Sequence, residues 1–311
     1  MSRADAGYRA PWWLPGGHLQ TLAAALAPRP RPDPRRQRWE TPDGDFIDLD
    51  WYGAAGAGRL LALFHGLEGS SGSHYARALV ARACAEGWRC VVPHFRGCSG
   101  EPNRLARAYH SGDSAELEWV LQKLASSHKD LVAVGVSLGG NVLLKWLGER
   151  GAAAACSLRR AATVSAPLEL AASAGALDRG LNRQLYTRMF LATLKRKAAE
   201  KSRRYPGRFD AARVRAARSL REYDDAFTAP LHGVRDADDY YARSSSAPRL
   251  GAIAVPTLLL NARNDPFLPA AVLDRIEASA AVTLEFPAEG GHAGFPGRGD
   301  WLSRRLLEFL A

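Results

Sequence analysis

A chain of 311 residues with 47% hydrophobic and 24% charged residues can bury one large domain or two modest ones, and this composition excludes disordered, collagen-like and low-complexity classes. The formal net charge of +10 is uneven: Arg183 to Arg221 holds thirteen Lys and Arg against only Glu200 and Asp210, which leaves the remainder close to neutral. Four cysteines without a C-x-x-C pair, no uninterrupted apolar run of about 18 residues, and no apolar core in Met1 to Leu14 argue against a disulfide scaffold, a membrane span and a standard export signal, and point to a reducing, cytoplasmic location.

Along the chain, residues 28–38 form a connector that cannot be helical, because Pro28, Pro30, Pro32 and Pro34 each remove an N–H and fix φ. Residues 38–41 and 46–52 flank the turn sequence Pro42-Asp43-Gly44-Asp45 and read as a β-hairpin. Buried strands are predicted over 59–64, 89–95, 131–136, 161–165 and 257–261, with a last one over 282–286, since each is a short apolar run between turn residues. Helices are predicted over 74–86, 114–126, 138–149, 269–278 and 300–310. The alternation implies an α/β fold with a mainly parallel central sheet flanked by helices. About 90 residues separate the strands ending at Ser165 and beginning at Thr257, far more than an ordinary crossover needs. Because 168–176, 182–202 and 211–223 have helical composition, the chain divides into a core of 1–165 and 250–311 and an inserted helical cap of 166–249 that carries the basic segment.

The chemistry concentrates at three strand ends. Gly135-Val136-Ser137-Leu138-Gly139-Gly140 joins an apolar run to a helix-like stretch, and small residues two before and two after Ser137 allow the sharp turn that exposes a serine Oγ at a helix N-terminus. Asp265 lies just past the strand beginning at Thr257, and His292 lies in a glycine-rich loop after the last strand, so nucleophile, acid and base occur in the order Ser, Asp, His. In these roles Ser137 attacks a carbonyl, His292 takes its proton, and Asp265 fixes the imidazole. The oxyanion donors are assigned to the backbone N–H groups of Leu138 and of Leu67, in Phe64-His65-Gly66-Leu67-Glu68-Gly69 after the third strand. His65 is expected to organise that loop. No H-E-x-x-H, dinucleotide-binding or Walker A pattern occurs, so neither a metal nor a cofactor is expected.

Eight motifs together resemble the YheT-like α/β hydrolases, a group that includes membrane-associated α/β-hydrolase-domain lipases and fungal medium-chain ester synthases. They are WWLPGGHLQT (12–21), FHGLEG (64–69), HFRGCSGEPNR (94–104), YHSG (109–112), GVSLGGN (135–141), DDAFTAPLHG (224–233), NARNDPF (261–267) and GGHAGF (290–295). The resemblance spans nearly the whole chain and implies the α/β-hydrolase fold, with nucleophile Ser137, acid Asp265 and base His292. One departure is that Asp113 and Glu116 stand where the family has an acidic pair ending in Asp. For His18 and Gln20 of HLQT, a structural and a pocket-lining role are both open.

The expected activity is hydrolysis of short- to medium-chain acyl esters or lipids through an acyl-serine intermediate. An alcohol O-acyltransferase using the same acyl-enzyme and a non-catalytic lipid-binding protein are the alternatives. Besides the ester or lipid substrate, the basic cap is expected to contact anionic membranes peripherally, and no nucleic-acid partner is expected. Lys195, Arg196 and Lys197 are expected on the cap, away from Ser137.

Overall fold

The computed structural model describes residues 7–297 and 299–311; the first six residues of the N-terminal segment read above lie outside them. Strands β1 (Arg35–Glu40), β2 (Phe46–Tyr52), β3 (Arg59–Phe64), β4 (Arg89–Pro93), β5 (Asp130–Val136), β6 (Arg160–Val164), β7 (Thr257–Leu260) and β8 (Val282–Glu285) form one sheet in the order β1-β2-β4-β3-β5-β6-β7-β8. β1 and β2 are antiparallel to each other and β2 to β4, while the pairs from β4 through β8 are parallel. Alternation along the central strands sorts side chains between two cores. Leu60, Ala62 and Phe64 of β3 join one apolar cluster, and Leu61 and Leu63 join another with Val132, Val134 and Val136 of β5. Burial on both faces explains why these strands read as unbroken apolar runs.

The core helices are α1 (Gly16–Leu26), α2 (His74–Ala85), α3 (Ser114–Ala125), α4 (Leu138–Arg150) and the last helix, Trp301–Leu310. Four departures from the sequence expectations have local causes. β1 starts at Arg35, inside the expected connector, because Arg36 and Arg38 reach across the hairpin to Asp50 and Asp48 at 2.7 and 2.8 Å. The expected strand 89–95 ends at Pro93, after which Cys98 donates back to Phe95 O at 2.9 Å in a turn. The expected helix 269–278 shrinks to Ala270–Asp274, since Ser279 N donates to Leu250 O at 3.1 Å and Ser279 Oγ to Ile253 O, which draws the chain toward β8. Helix α1 was not expected at all; no side chain caps its N-terminus, and it is held by the tertiary contacts of buried Gln20, Thr21 and Ala24.

Between β6 and β7 the chain is helical and carries its own apolar cluster, which includes Tyr186, Leu191, Leu194, Tyr223 and Phe227. It runs through α5 (Leu170–Leu177), the turn Gly180–Asn182, a π-turn Arg183–Thr187 and the long helix Arg188–Arg204. The expected helix 211–223 is two pieces, Ala211–Ala216 and Leu220–Tyr223, because Asp210 caps the first and Ser219 Oγ accepts from Glu222 N at 3.1 Å to start the second. A further helix, Ala237–Ser244, starts where Asp236 accepts from Asp239 N at 2.8 Å.

Candidate active site

Ser137 sits between β5 and α4 at φ 54° and ψ −122°, a backbone region that costs a non-glycine residue roughly 1–3 kcal/mol. Its surroundings enforce that geometry. Ser137 N donates to Val164 O at 2.8 Å and Asn141 N to Ser137 O at 3.1 Å. A Cβ on Gly135 would fall 2.5 Å from Gly139 O, and one on Gly139 would fall 2.4 Å from Phe64 O and 2.6 Å from His65 O. The two small positions around the serine are therefore obligatory close approaches. Gly139→Ala is expected to destabilise the protein by about 1–3 kcal/mol, as overpacking does, and to lower turnover, because β3 or α4 must shift. Urea denaturation beside steady-state kinetics checks both.

Asp265 and His292 arrive from the ends of β7 and β8. His292 Nδ1 lies 2.9 Å from Asp265 Oδ2, and His292 Nε2 lies 2.9 Å from Ser137 Oγ. With Nδ1–H donated to the carboxylate, the Nε2 lone pair faces the serine hydroxyl. Asp265 is buried, its Oδ1 accepts from Phe267 N at 2.8 Å, and the Phe267 ring stacks on the imidazole at 3.9 Å.

The loops carrying Asp265 and His292 are tied to α1 by two residues whose part the sequence did not assign. The amide of Gln20, which is fully buried, accepts at Oε1 from Gly290 N (2.8 Å) and Asn264 Nδ2 (2.9 Å) and donates to Leu14 O (2.9 Å). Thr21 Oγ1 accepts from His292 N at 2.8 Å and donates to Gly17 O at 2.7 Å. The HLQT motif is thus a brace under the Asp265 and His292 loops. Gln20 does not line the cavity beside Ser137, and neither does His18, whose Nδ1 lies 3.3 Å from Tyr186 OH. The only sequence signal for this brace was the motif itself.

Neither the N–H of Leu67 nor that of Leu138 has a hydrogen-bond partner among the described residues. Both residues line the cavity that contains Ser137 and His292. The loop before Leu67 rests on the serine: a Cβ on Gly66 would stand 3.1 Å from Ser137 Cβ, and Gly139 N donates to His65 O at 3.1 Å. His65 is fully buried, with Nδ1 2.8 Å from Gly66 O and Nε2 accepting from Phe95 N at 3.1 Å. Burial pushes its pKa down to about 3, so it stays neutral and orders the loop, as expected. Asn141 Nδ2 donates to Ser111 O and Ser244 O, both at 2.8 Å, which fastens the YHSG segment to α4. Asp113 and Glu116 serve ion pairs with Arg107 and Arg96, and burial among these charges, with Asp113 adding to it, raises Glu116 to about 7.

The cavity measures about 550 Å³, within the ~300–1,000 Å³ of small-molecule sites. Its walls are mainly apolar, with Leu67, Leu170, Leu177, Phe190, Leu194, Phe227 and Phe267 among them. The wall also includes Arg196, Lys197, Lys201 and Arg204, so these cap residues share the cavity with Ser137. Lys197 Nζ sits 2.7 Å from Glu68 Oε1, and Glu68 follows Leu67 in a left-handed conformation at φ 55°. Glu68 is further fixed by Tyr109, whose OH accepts from Glu68 N and donates to its Oε1, both at 2.8 Å. Other basic side chains are turned inward too. Lys195 Nζ donates to Arg215 O and Ala217 O, and Lys201 Nζ to Asn103 Oδ1, Leu105 O and Arg107 O, where burial lowers it to about 8. Among the described residues no group of three or more His, Cys, Asp or Glu side chains is placed to hold a metal ion, and no helix is long and apolar enough to cross a membrane.

Residues 59–297 match the family described as alpha/beta hydrolase fold. YheT of Escherichia coli (strain K12), provisionally named an esterase, is 41% identical over 307 residues, which cover 94% of this chain and 89% of that one. Phospholipase ABHD3 of Homo sapiens is 31% identical, with 96% of this chain and 77% of that protein covered. The medium-chain fatty acid ethyl ester synthase/esterase 2 of Saccharomyces cerevisiae is 28% identical, covering 81% and 61%. Among solved structures, the esterase EaEST from Exiguobacterium antarcticum superposes with a TM-score of 0.57 at 18% identity, covering 89% of this chain and 99% of that chain. The Pyrococcus furiosus esterase Pf2001 superposes at 0.59 with 14% identity, covering 90% and 92%. These two share the fold.

Proposed function

Since the chain belongs to the α/β-hydrolase family, in its YheT-like group, we propose that it is a serine hydrolase of carboxylic esters carrying short- to medium-chain acyl groups, lipids included. The observation that supports this reading is the continuous line of contacts from Asp265 through His292 to Ser137, 2.9 Å at each step, at the edge of an apolar cavity. In the proposed reaction Ser137 Oγ attacks the ester carbonyl carbon while its proton passes to His292 Nε2. The carbonyl oxygen takes up negative charge facing the N–H groups of Leu67 and Leu138. Collapse breaks the bond to the alkoxide, which leaves with the proton from His292, and a water molecule repeats the sequence to free the acid and Ser137. Asp265 stabilises the imidazolium in both halves.

The acyl chain is placed against Leu170, Leu177, Phe190 and Phe267 of the cavity wall. Each methylene moved from water into such a wall is worth about 0.8 kcal/mol, or roughly fourfold in kcat/KM. A series of p-nitrophenyl esters from acetate upward is therefore expected to show kcat/KM rising at up to about that rate until the cavity is filled, and then falling. A flat or steadily declining series overturns the acyl-pocket assignment. In the presence of a medium-chain alcohol, the ratio of ester to acid formed from the same substrate measures how far the acyl-enzyme transfers to an alcohol.

A further inference from the structure

The seven large apolar side chains most exposed among the described residues lie on two short stretches: Trp12, Trp13, Leu19 and Leu26 on one, and Leu181, Leu185 and Met189 on the other. The degree of exposure is unusual, at 91% for Trp12, 61% for Trp13, 55% for Leu181 and 54% for Met189. Isolated exposed leucines need no explanation, but a cluster of this size marks an interaction surface.

The two stretches are one place in the fold. His18 Nδ1 lies 3.3 Å from Tyr186 OH and the two rings stack at 5.8 Å with an interplanar angle of 7°. The chain neighbours of this contacting pair are Leu19 and Leu185, both exposed. A second junction repeats the arrangement: Asn182 Nδ2 donates to Pro266 O at 2.6 Å, and Gly17 packs on Asn264 and on Pro266, so Leu181 and the start of α1 flank the same loop. Gln20 Nε2, bonded to Leu14 O, fixes the turn in which Leu14 N donates to Pro11 O, and that turn presents the two tryptophans.

Charge selects the occupant. No Asp or Glu occurs from residue 7 to residue 32 or from 179 to 199, whereas Arg9, Arg31, Arg179, Arg183 and Arg188 are exposed within or beside these stretches. Arg183 and Arg188 make no ion pair within 4 Å among the described residues, although Asp178, just outside the stretch, is near enough to Arg183 for the two charges to interact. A second copy of this face would meet like charge with like charge across a two-fold contact. An anionic lipid surface would satisfy both components, since tryptophan settles at the headgroup level, aliphatic side chains enter the acyl boundary, and arginines meet lipid phosphates and carboxylates. We propose that this face, formed by α1 with the turn before it and by residues 181–189, is a docking surface for anionic membranes. It takes only Arg183 and Arg188 from the basic segment expected on the cap, whose Lys195, Lys197 and Lys201 nitrogens are committed to internal partners. It also stands independently of the hydrolytic reading, because none of its exposed side chains touches Ser137, Asp265 or His292.

The test is co-sedimentation of the full chain with vesicles of phosphatidylcholine alone and of phosphatidylcholine with phosphatidylserine, at low and high salt. Binding to the anionic vesicles that weakens with salt is expected. W12S/W13S, L181Q/M189Q and R183E/R188E should each reduce that binding about tenfold or more, while turnover on p-nitrophenyl butyrate stays at the wild-type level and shows the variants folded. The tryptophan pair should also be quenched by brominated lipid in the wild type. Equal binding to neutral and anionic vesicles, no binding to either, unchanged binding by the three variants, or a wild-type dimer that the W12S/W13S change dissolves would each overturn the assignment. Loss of turnover in the Ser137 variant with vesicle binding intact leaves the two readings separable.

Discussion

Ser137→Ala is expected to fold like the wild type and to lose at least three powers of ten in kcat, about 4 kcal/mol of transition-state stabilisation. Stability should barely change. The side chain is only half-buried, its Oγ bonds to His292 alone, and alanine meets the same strain at φ 54° that serine does. The backbone bonds to Val164 O and from Asn141 N persist without the hydroxyl. What remains is the binding cavity and the pair of N–H groups, which can still polarise a carbonyl toward attack by water but supply no nucleophile. Thermal melts beside steady-state kinetics on a p-nitrophenyl ester make the measurement. A fluorophosphonate probe should add one covalent group to Ser137 in the wild type and none in the variant. Retention of more than about a tenth of the wild-type turnover would remove Ser137 from the nucleophile's role.

The strands, and the three side chains proposed to carry the chemistry, were legible because each leaves a local signature. An apolar run between turns marks β3 and β5, and Ser137, Asp265 and His292 each stand where such a run ends in a Gly- or Asn-rich turn. What the sequence withheld is what its period cannot encode, namely side chains bonded to distant backbone. Gln20 reaches Gly290 across 270 positions and Thr21 reaches His292 across 271. Charge was legible only in part, for the same reason. Thirteen basic residues in one segment read as a solvated or membrane-facing surface, and its ten arginines are exposed, but Lys195 ends on two carbonyls, Lys201 on two carbonyls and an amide oxygen, and Lys197 on Glu68. A count of charges carries no information on which of them the fold will neutralise. The helix α1 escaped notice because its stability lies in burial of Gln20 and Thr21 and not in capping or amphipathic pattern.

Asp265→Asn is expected to lower kcat by about three to four powers of ten while KM and stability change little. The reason is geometric. Asp265 Oδ1 accepts from both Phe267 N and His292 Nδ1, and Oδ2 accepts from His292 Nδ1 at 2.9 Å. An asparagine satisfies Phe267 N by keeping its carbonyl oxygen there, which leaves the amide NH₂ pointing at His292 Nδ1. The imidazole must then present a lone pair at Nδ1 and carry its proton at Nε2. That N–H faces Ser137 Oγ across 2.9 Å and cannot accept the proton the attack releases. The substitution also removes the negative charge that stabilises the imidazolium once formed. Volume and burial are nearly conserved, so the fold has no cavity to close and the His292 loop stays braced by Thr21 and Gln20. The diagnostic result is a fall in kcat without a matching rise in KM, together with slow but still Ser137-directed fluorophosphonate labelling. A parallel loss of stability by denaturation would instead assign Asp265 to the framework of the β7 turn, and a loss of turnover below about tenfold would mean that another group orients His292.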